Sequence, residues 1–121
     1  MPNKPIVILD PHFRKMEETF SPEDRDHLSE IAHIVWGQDT PIDSQTFLQH
    51  LPDAEVIICT GWRYGDVLPQ AKKLRAIFDI SGGFPIDLDY AYCFAHNIRV
   101  LSAAPSFARQ VAEMCLGLGL A

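Results

Sequence analysis

The glycines near the carboxyl end are the residues whose spacing most directly suggests chemistry. Gly117 and Gly119 stand in the closing run CLGLGLA, and a glycine-x-glycine pair begins many loops that bind the pyrophosphate of a dinucleotide. Such a loop must follow a strand directly, because the tight turn then delivers backbone amides and a helix amino end to the phosphates. The preceding residues, from Phe107 to Met114, instead repeat apolar side chains at helical spacing. The pattern therefore predicts two glycines inside a helix.

Two further reactive side chains end apolar runs. Asp10 follows IVIL, but a phosphoacceptor site would also need an aspartate ending the third run and a lysine ending the last run, where Cys59 and Leu101 stand. The sequence after Asp10, PHF, offers no glycine- and hydroxyl-rich loop for a flavin phosphate. Cys59 has no histidine adjacent in sequence, so we expect a buried structural thiol there and no nucleophile.

Composition narrows the function classes. The chain has 121 residues, 47% of them hydrophobic, which suits one domain around one core. Its net charge is -6 and its ten Lys and Arg residues are scattered, so we expect no nucleic-acid partner. The apolar run before Asp10 is four residues long, too short for a signal peptide or a membrane span. We therefore expect a cytoplasmic protein without membrane contact.

Cysteine and histidine usage gives no sign of a disulfide framework or of a metal site. The three cysteines are odd in number, widely separated and set in apolar sequence, which suits reduced thiols. The five histidines show no pairing with cysteine or carboxylate at metal-ligand spacing. We predict that the chain holds no metal.

Alternating strand and helix signals predict the fold. Five continuously apolar runs are typical of parallel strands covered on both faces, and they span residues 6–9, 33–36, 55–59, 75–80 and 98–101. Helix signals between the strands predict a helix over 22–31 and a second one, capped by Asp43 or Ser44, that runs to His50. They also predict one or two turns within 65–73 and a helix from Asp87 or Asp89 that ends near residues 96–97. The order predicts an α/β, flavodoxin-like, doubly wound parallel five-stranded sheet.

The second half of the chain carries a more specific pattern. The run LRAIFDISGGFPIDLDYAYCFAHNIRVLSAAPSFARQVAEMCLGLGLA resembles the D-isomer-specific 2-hydroxyacid dehydrogenases. Ile86-Asp87, Ile98-Arg99-Val100, Pro105 and Val111-Ala112-Glu113 stand where that family has their counterparts. In the first half the resemblance is one of layout only.

The resemblance implies a domain organisation. Residues 1–104 correspond to the amino-terminal segment of a flavodoxin-like substrate-binding domain, and residues 105–121 to an apolar helix that crosses towards an NAD-binding Rossmann domain absent from this sequence. The family's dinucleotide glycines and its catalytic side chains lie after that point, so the resemblance implies no catalytic and no cofactor-binding residue in this chain. We therefore expect a fragment of an NAD-dependent oxidoreductase, with NADP also open, that is inactive by itself. The full-length enzyme is expected to be a homodimer that reduces small 2-oxo acids.

Two loops are candidates for substrate binding. In the family, backbone amides of the loop after the fourth strand hold the substrate carboxylate, and the matching positions here are Ser81, Gly82 and Gly83. Phe84-Pro85 departs from the family's D-N, and the proline removes one amide donor. The loop after the third strand offers Trp62 or Tyr64 as a pocket wall and Arg63 as a cation for a carboxylate. The alternative for that loop is a surface segment whose aromatic rings pack on the sheet.

Two other classes remain open at this point. The chain is alternatively a stand-alone flavodoxin-like binding or interaction module, which would use the apolar end helix to pair with another protein, or an inactive remnant of a dehydrogenase gene. The predicted end helix is apolar nearly all round, so a second layer of protein must cover it. The Rossmann domain would be that layer in the dehydrogenase interpretation, and the partner protein would be that layer in the module interpretation.

Overall fold

Five short strands form one parallel sheet in the computed structural model, which describes residues 4–11, 21–80 and 87–102. The strands are β1 (Ile6–Asp10), β2 (His33–Trp36), β3 (Val56–Cys59), β4 (Ala76–Asp79) and β5 (Arg99–Ser102). Their order across the sheet is β2-β1-β3-β4-β5, and every neighbouring pair is parallel. This is the flavodoxin-like order, so the predicted fold class is confirmed.

In the part of the chain that the structure describes, three α-helices with side-chain caps connect the strands. They are α1 (Pro22–Ile31), α2 (Ser44–His50) and α3 (Tyr90–Ala95). Their first turns are capped in turn by Ser21, Asp43 and Asp89, whose side chains accept hydrogen bonds from backbone amides three residues further on. Asn97, just beyond α3, has a φ of 58°, the left-handed conformation that ends many helices.

The helices cover both faces of the sheet. On one face, here called the α1 face, Leu28 and Ala32 pack against alternate strand residues such as Leu9 and Phe78. On the other, the α2/α3 face, Phe47 and Cys93 belong to a second cluster of buried residues. Both faces of β3 and β4 are fully buried, which explains why these strands are continuously apolar in sequence.

The segment between β3 and β4 contains a short helical turn, as predicted. Within residues 65–73 the chain forms a single turn of 3₁₀-helix, Leu68–Gln70, with proline in its first turn. A proline has no backbone N–H and so favours the first turn of a helix over its interior.

The predicted crossing helix, residues 105–121, and the proposed domain boundary at 104 lie outside the described residues. Within the described ranges, none of the helices has the length and apolarity needed to cross a membrane.

Candidate functional site

Three buried reactive side chains lie in one row at the carboxyl edge of the sheet. The strand register places Asp10 opposite Cys59 and Cys59 opposite Asp79, and each is at most 1% exposed. Cys59 belongs to the cluster on the α2/α3 face. Side chains alternate along a strand, and neighbours in register share a face, so both aspartates lie on that face too. Ligands of open α/β sheets bind beside this edge.

The Asp10 carboxylate joins three segments of the chain. Its Oδ1 accepts a hydrogen bond from the Ile42 amide over 3.1 Å. Its Oδ2 accepts one from the Tyr64 hydroxyl over 2.5 Å and one from Nη2 of Arg63 over 3.3 Å. A carboxylate can be buried when charge-assisted hydrogen bonds replace its lost hydration. Asp10 therefore ties the loop after β3 and the segment before α2 to the end of β1.

Aromatic packing fixes the loop after β3. The Tyr64 ring stacks on Phe47 of α2, with centroids 4.0 Å apart and planes 5° apart. Trp62 meets the Tyr64 ring edge-on at 4.9 Å, and its indole N–H donates to the Gly65 carbonyl over 2.9 Å. Edge-to-face and offset-stacked contacts of this kind add to the energy of burial. The loop is thus held by its own rings as well as by Asp10.

Two glycines determine the backbone conformation of the loop. Gly61 has a φ of +77° and Gly65 a φ of +76°, a left-handed conformation that glycine adopts without a steric penalty. A Cβ atom built on either residue would meet no atom within 4 Å. Their requirement for glycine is therefore one of backbone conformation and not of space.

The electrostatics of the row keep Tyr64 and Cys59 protonated. Burial, followed by the nearby Cys59 and Asp10, raises the pKa of Tyr64 far above its usual value. The phenol therefore remains a hydrogen-bond donor to the carboxylate. Burial also raises the pKa of the Cys59 thiol, with Asp79 and Asp10 adding to the effect. A neutral, buried thiol is a poor nucleophile, as expected for Cys59 from its sequence context.

The candidate substrate residues fall into two groups. Trp62 is only 4% exposed and packs inside the loop, whereas 37% of the Arg63 side chain is exposed beside Asp10. The structure therefore brings both residues to the carboxyl edge. The packing of Trp62 also agrees with the alternative interpretation of this loop, in which its aromatic rings pack on the sheet. Ser81, Gly82 and Gly83 lie outside the described residues. The substrate role of all five residues stays a prediction.

The contribution of Asp10 to this loop was not anticipated from the sequence. From the sequence, Asp10 is a candidate only for a phosphoacceptor or a flavin site, both of which its surroundings argue against, and the Ile42 amide has no predicted role. The signal was nevertheless present: a charged residue at the end of a continuously apolar strand becomes buried, and a buried charge needs a partner. Which residues supply that partner depends on contacts 32 to 54 positions apart in the chain.

The described residues do not fit a dinucleotide. A pyrophosphate-binding turn leads directly from a strand into a helix amino end. After β3 the chain instead passes through the ring-filled loop from Gly61 to Gly65 before reaching a three-residue turn. No cofactor step is therefore assigned to these residues. Nor does the described part of the chain bring together three or more His, Cys, Asp or Glu side chains that could hold a metal ion.

Comparisons with known proteins agree with this architecture. The family described as D-isomer specific 2-hydroxyacid dehydrogenase, catalytic domain, matches residues 6–115. The chain is also similar in structure to a phosphoglycerate oxidoreductase from Rhizobium etli, with 26% sequence identity and a TM-score of 0.70. That similarity covers 97% of this chain and 36% of the other, so the chain spans well under half the length of that protein. A search of curated proteins returned no match.

The family match covers all five strands and the loop that carries Trp62 and Arg63. The resemblance found in the second half of the sequence thus extends through the first half. The chain belongs to the D-isomer-specific 2-hydroxyacid dehydrogenase family and contains sequence of its catalytic domain.

Proposed function

We propose that this chain supplies substrate binding to an NAD-dependent oxidoreductase that acts on the CH–OH group of D-2-hydroxy acids and, in reverse, reduces 2-oxo acids. Its family membership and its likeness to part of a phosphoglycerate oxidoreductase support the proposal. The hydride chemistry, with NAD or NADP, belongs to a separate Rossmann domain, and residues 105–121 form the helix that leads to it. The complete enzyme is a homodimer under this proposal.

The observation that carries the proposal is the position of Arg63. Its guanidinium is held beside a buried carboxylate at the carboxyl edge, and 37% of its side chain remains exposed. A planar guanidinium matches the geometry of a carboxylate, which it can bind through two parallel hydrogen bonds. Asp10 orients this cation, because it holds Nη2 while the Tyr64 ring lies 5.9 Å from the guanidinium carbon.

The neighbouring loop completes the proposed carboxylate site. β4 ends at Asp79 in the same row as Asp10, and the loop that follows contains Ser81, Gly82 and Gly83. Backbone amides of such a glycine-containing loop can converge on an anion. Under this proposal, amides of that loop and Arg63 bind the substrate carboxylate, and Trp62 supports the wall of the pocket.

Binding of a 2-oxo acid to the chain tests this proposal directly. In an NMR titration of the ¹⁵N-labelled chain with pyruvate, we expect saturable shifts at the amides of residues 61–64 and 81–83. Arg63→Lys retains the positive charge but loses the planar fork, so we expect weaker pyruvate binding. Lys73→Gln is the matched control, because Lys73 pairs with Asp53 on the surface at 3.6 Å and lies outside the site.

Two results would overturn the proposal. One is the absence of shifts at both loops at saturating pyruvate, and the other is equal weakening by Arg63→Lys and Lys73→Gln. The chain by itself is expected to oxidise no NADH in the presence of small 2-oxo acids, because residues 4–11, 21–80 and 87–102 contain no fitting dinucleotide turn. Turnover above the background rate would contradict that part of the proposal.

A further inference from the structure

A cavity lies at the opposite edge of the sheet from the candidate site. Its volume is about 300 Å³, and it is lined by Pro69, Ala71, Lys72, Leu74, Tyr92, His96 and Ile98. Leu74 lies two residues before β4 and Ile98 directly precedes β5, so the cavity opens at the amino ends of these strands. The Asp10 row stands at the carboxyl ends, four to five residues further along these strands, which is about 13 to 17 Å at the usual rise of about 3.3 Å per residue.

The cavity has an apolar floor. Ala71, Leu74 and Ile98 are at most 7% exposed and belong to the core cluster of the α2/α3 face. The cavity is partly open to solvent, and its volume is at the lower end of the range for small-molecule pockets, which begin at about 300 Å³. The space and its lining therefore suit one six-membered ring with a substituent.

Two stacked aromatic rings line the cavity beside these apolar residues. The rings of Tyr92, on α3, and His96, which directly follows α3, are stacked with centroids 3.8 Å and planes 14° apart. A backbone carbonyl can only accept a hydrogen bond, so Nδ1 of His96 donates to the Tyr92 carbonyl over 2.9 Å. This hydrogen bond holds the imidazole in place, and stacked planar rings favour a planar ligand.

One residue of the cavity lining is positively charged. Lys72 lines it, and the ion pairs found within residues 4–11, 21–80 and 87–102 include none to this ammonium group. Its neighbour Lys73 is instead paired with Asp53 over 3.6 Å. An ammonium group beside an apolar floor is suited to a carboxylate attached to an apolar body.

We propose that the cavity between the Leu68–Gln70 turn and α3 is a second binding site, distinct from the carboxyl edge, for a small aromatic carboxylate. The ring of the ligand occupies the space beside the Tyr92–His96 stack, and its carboxylate pairs with Lys72. The site does not depend on the proposed dehydrogenase function, because it uses none of the residues at the carboxyl edge.

An NMR titration of the ¹⁵N-labelled chain with benzoate tests this inference. We expect saturable shifts at the amides of Lys72, Tyr92, His96 and Ile98. Benzyl alcohol keeps the ring but lacks the charge, and acetate keeps the charge but lacks the ring. Both should bind more weakly, benzyl alcohol by about two- to fivefold because a solvent-exposed ion pair contributes modestly, and acetate by about tenfold or more because the apolar contact is lost.

Two variants with the same change in net charge separate a local ion pair from general charge attraction. Lys72→Gln should weaken benzoate binding about two- to fivefold and leave benzyl alcohol binding unchanged, whereas Lys73→Gln should leave both unchanged. Equal effects of the two variants would overturn the proposal, as would shifts confined to residues 61–64 or shifts that do not saturate. Because pyruvate and benzoate report at opposite edges, failure of one proposal is distinguishable from failure of the other.

Discussion

The hydroxyl of Tyr64 donates a 2.5 Å hydrogen bond to the carboxylate of Asp10, across 54 positions of sequence. Asp10 is fully buried at the end of β1, and Tyr64 lies in the loop after β3. Because the same carboxylate oxygen also accepts from Arg63, this hydrogen bond connects a structural group to the cation of the candidate site. The stability of the loop and the position of Arg63 are thus coupled.

Tyr64→Phe should destabilise the chain by about 1–3 kcal/mol, the cost of leaving a buried polar group without one of its hydrogen bonds. The phenyl ring would keep its stack on Phe47, so the loss reports on the hydroxyl alone. Urea unfolding at neutral pH, followed by circular dichroism, measures the change in the free energy of unfolding.

Tyr92→Phe is the control for that experiment. The described residues show no hydrogen bond from the Tyr92 hydroxyl, while its ring is stacked on His96. Removing the Tyr92 hydroxyl should change the free energy of unfolding by less than about 0.5 kcal/mol. Equal losses in the two variants would show that the hydrogen bond to Asp10 contributes nothing specific.

Stability should fall as the pH rises above about 9. The pKa of Cys59 and that of Tyr64 are raised in the folded chain, relative to ordinary values of 9.0 and 10.0. Above those values the unfolded chain loses its protons first, so folding stability decreases with pH. Each group lowers the free energy of unfolding by up to about 1.4 kcal/mol per pH unit once the pH exceeds its unfolded-state pKa.

Cys59→Ala isolates the part due to the thiol. Urea unfolding of this variant between pH 8 and 10.5 should show a shallower decline than the parent chain, whatever its stability at neutral pH. Parallel curves for the two proteins would mean that the thiol does not titrate differently in the folded and unfolded states, contrary to the expectation from its burial.

Gly61→Ala should cost about 1 kcal/mol of stability, because a left-handed φ of +77° is unfavourable for an L-residue. Asparagine tolerates that conformation better, so Gly61→Asn should cost less. Gly37→Ala should cost more than Gly61→Ala, since its Cβ would also lie 3.1 Å from Cγ2 of Ile34. Thermal unfolding of the three variants gives the ranking, and a larger loss for Gly61→Asn than for Gly61→Ala would contradict this reasoning.

Local patterns were enough to predict most of the framework. The apolar runs predicted all five strands to within one or two residues, because strands buried on both faces must be continuously apolar. Ser21 and Asn97 marked the start of α1 and the end of α3, because capping depends on residues adjacent in sequence. The sequence resemblance in the second half pointed to the family that the comparison then showed.

The sequence by itself determined the alternation of strands and helices, the flavodoxin-like class and which loops lie at the carboxyl edge. Only the tertiary structure decided that Arg63 pairs with Asp10, that Tyr64 stacks on Phe47 and that Lys72 lines a cavity with Tyr92 and His96. The reason is physical. Strand periodicity and helix caps act over a few residues, whereas a buried charge selects its partners from whatever side chains the sheet order brings within reach.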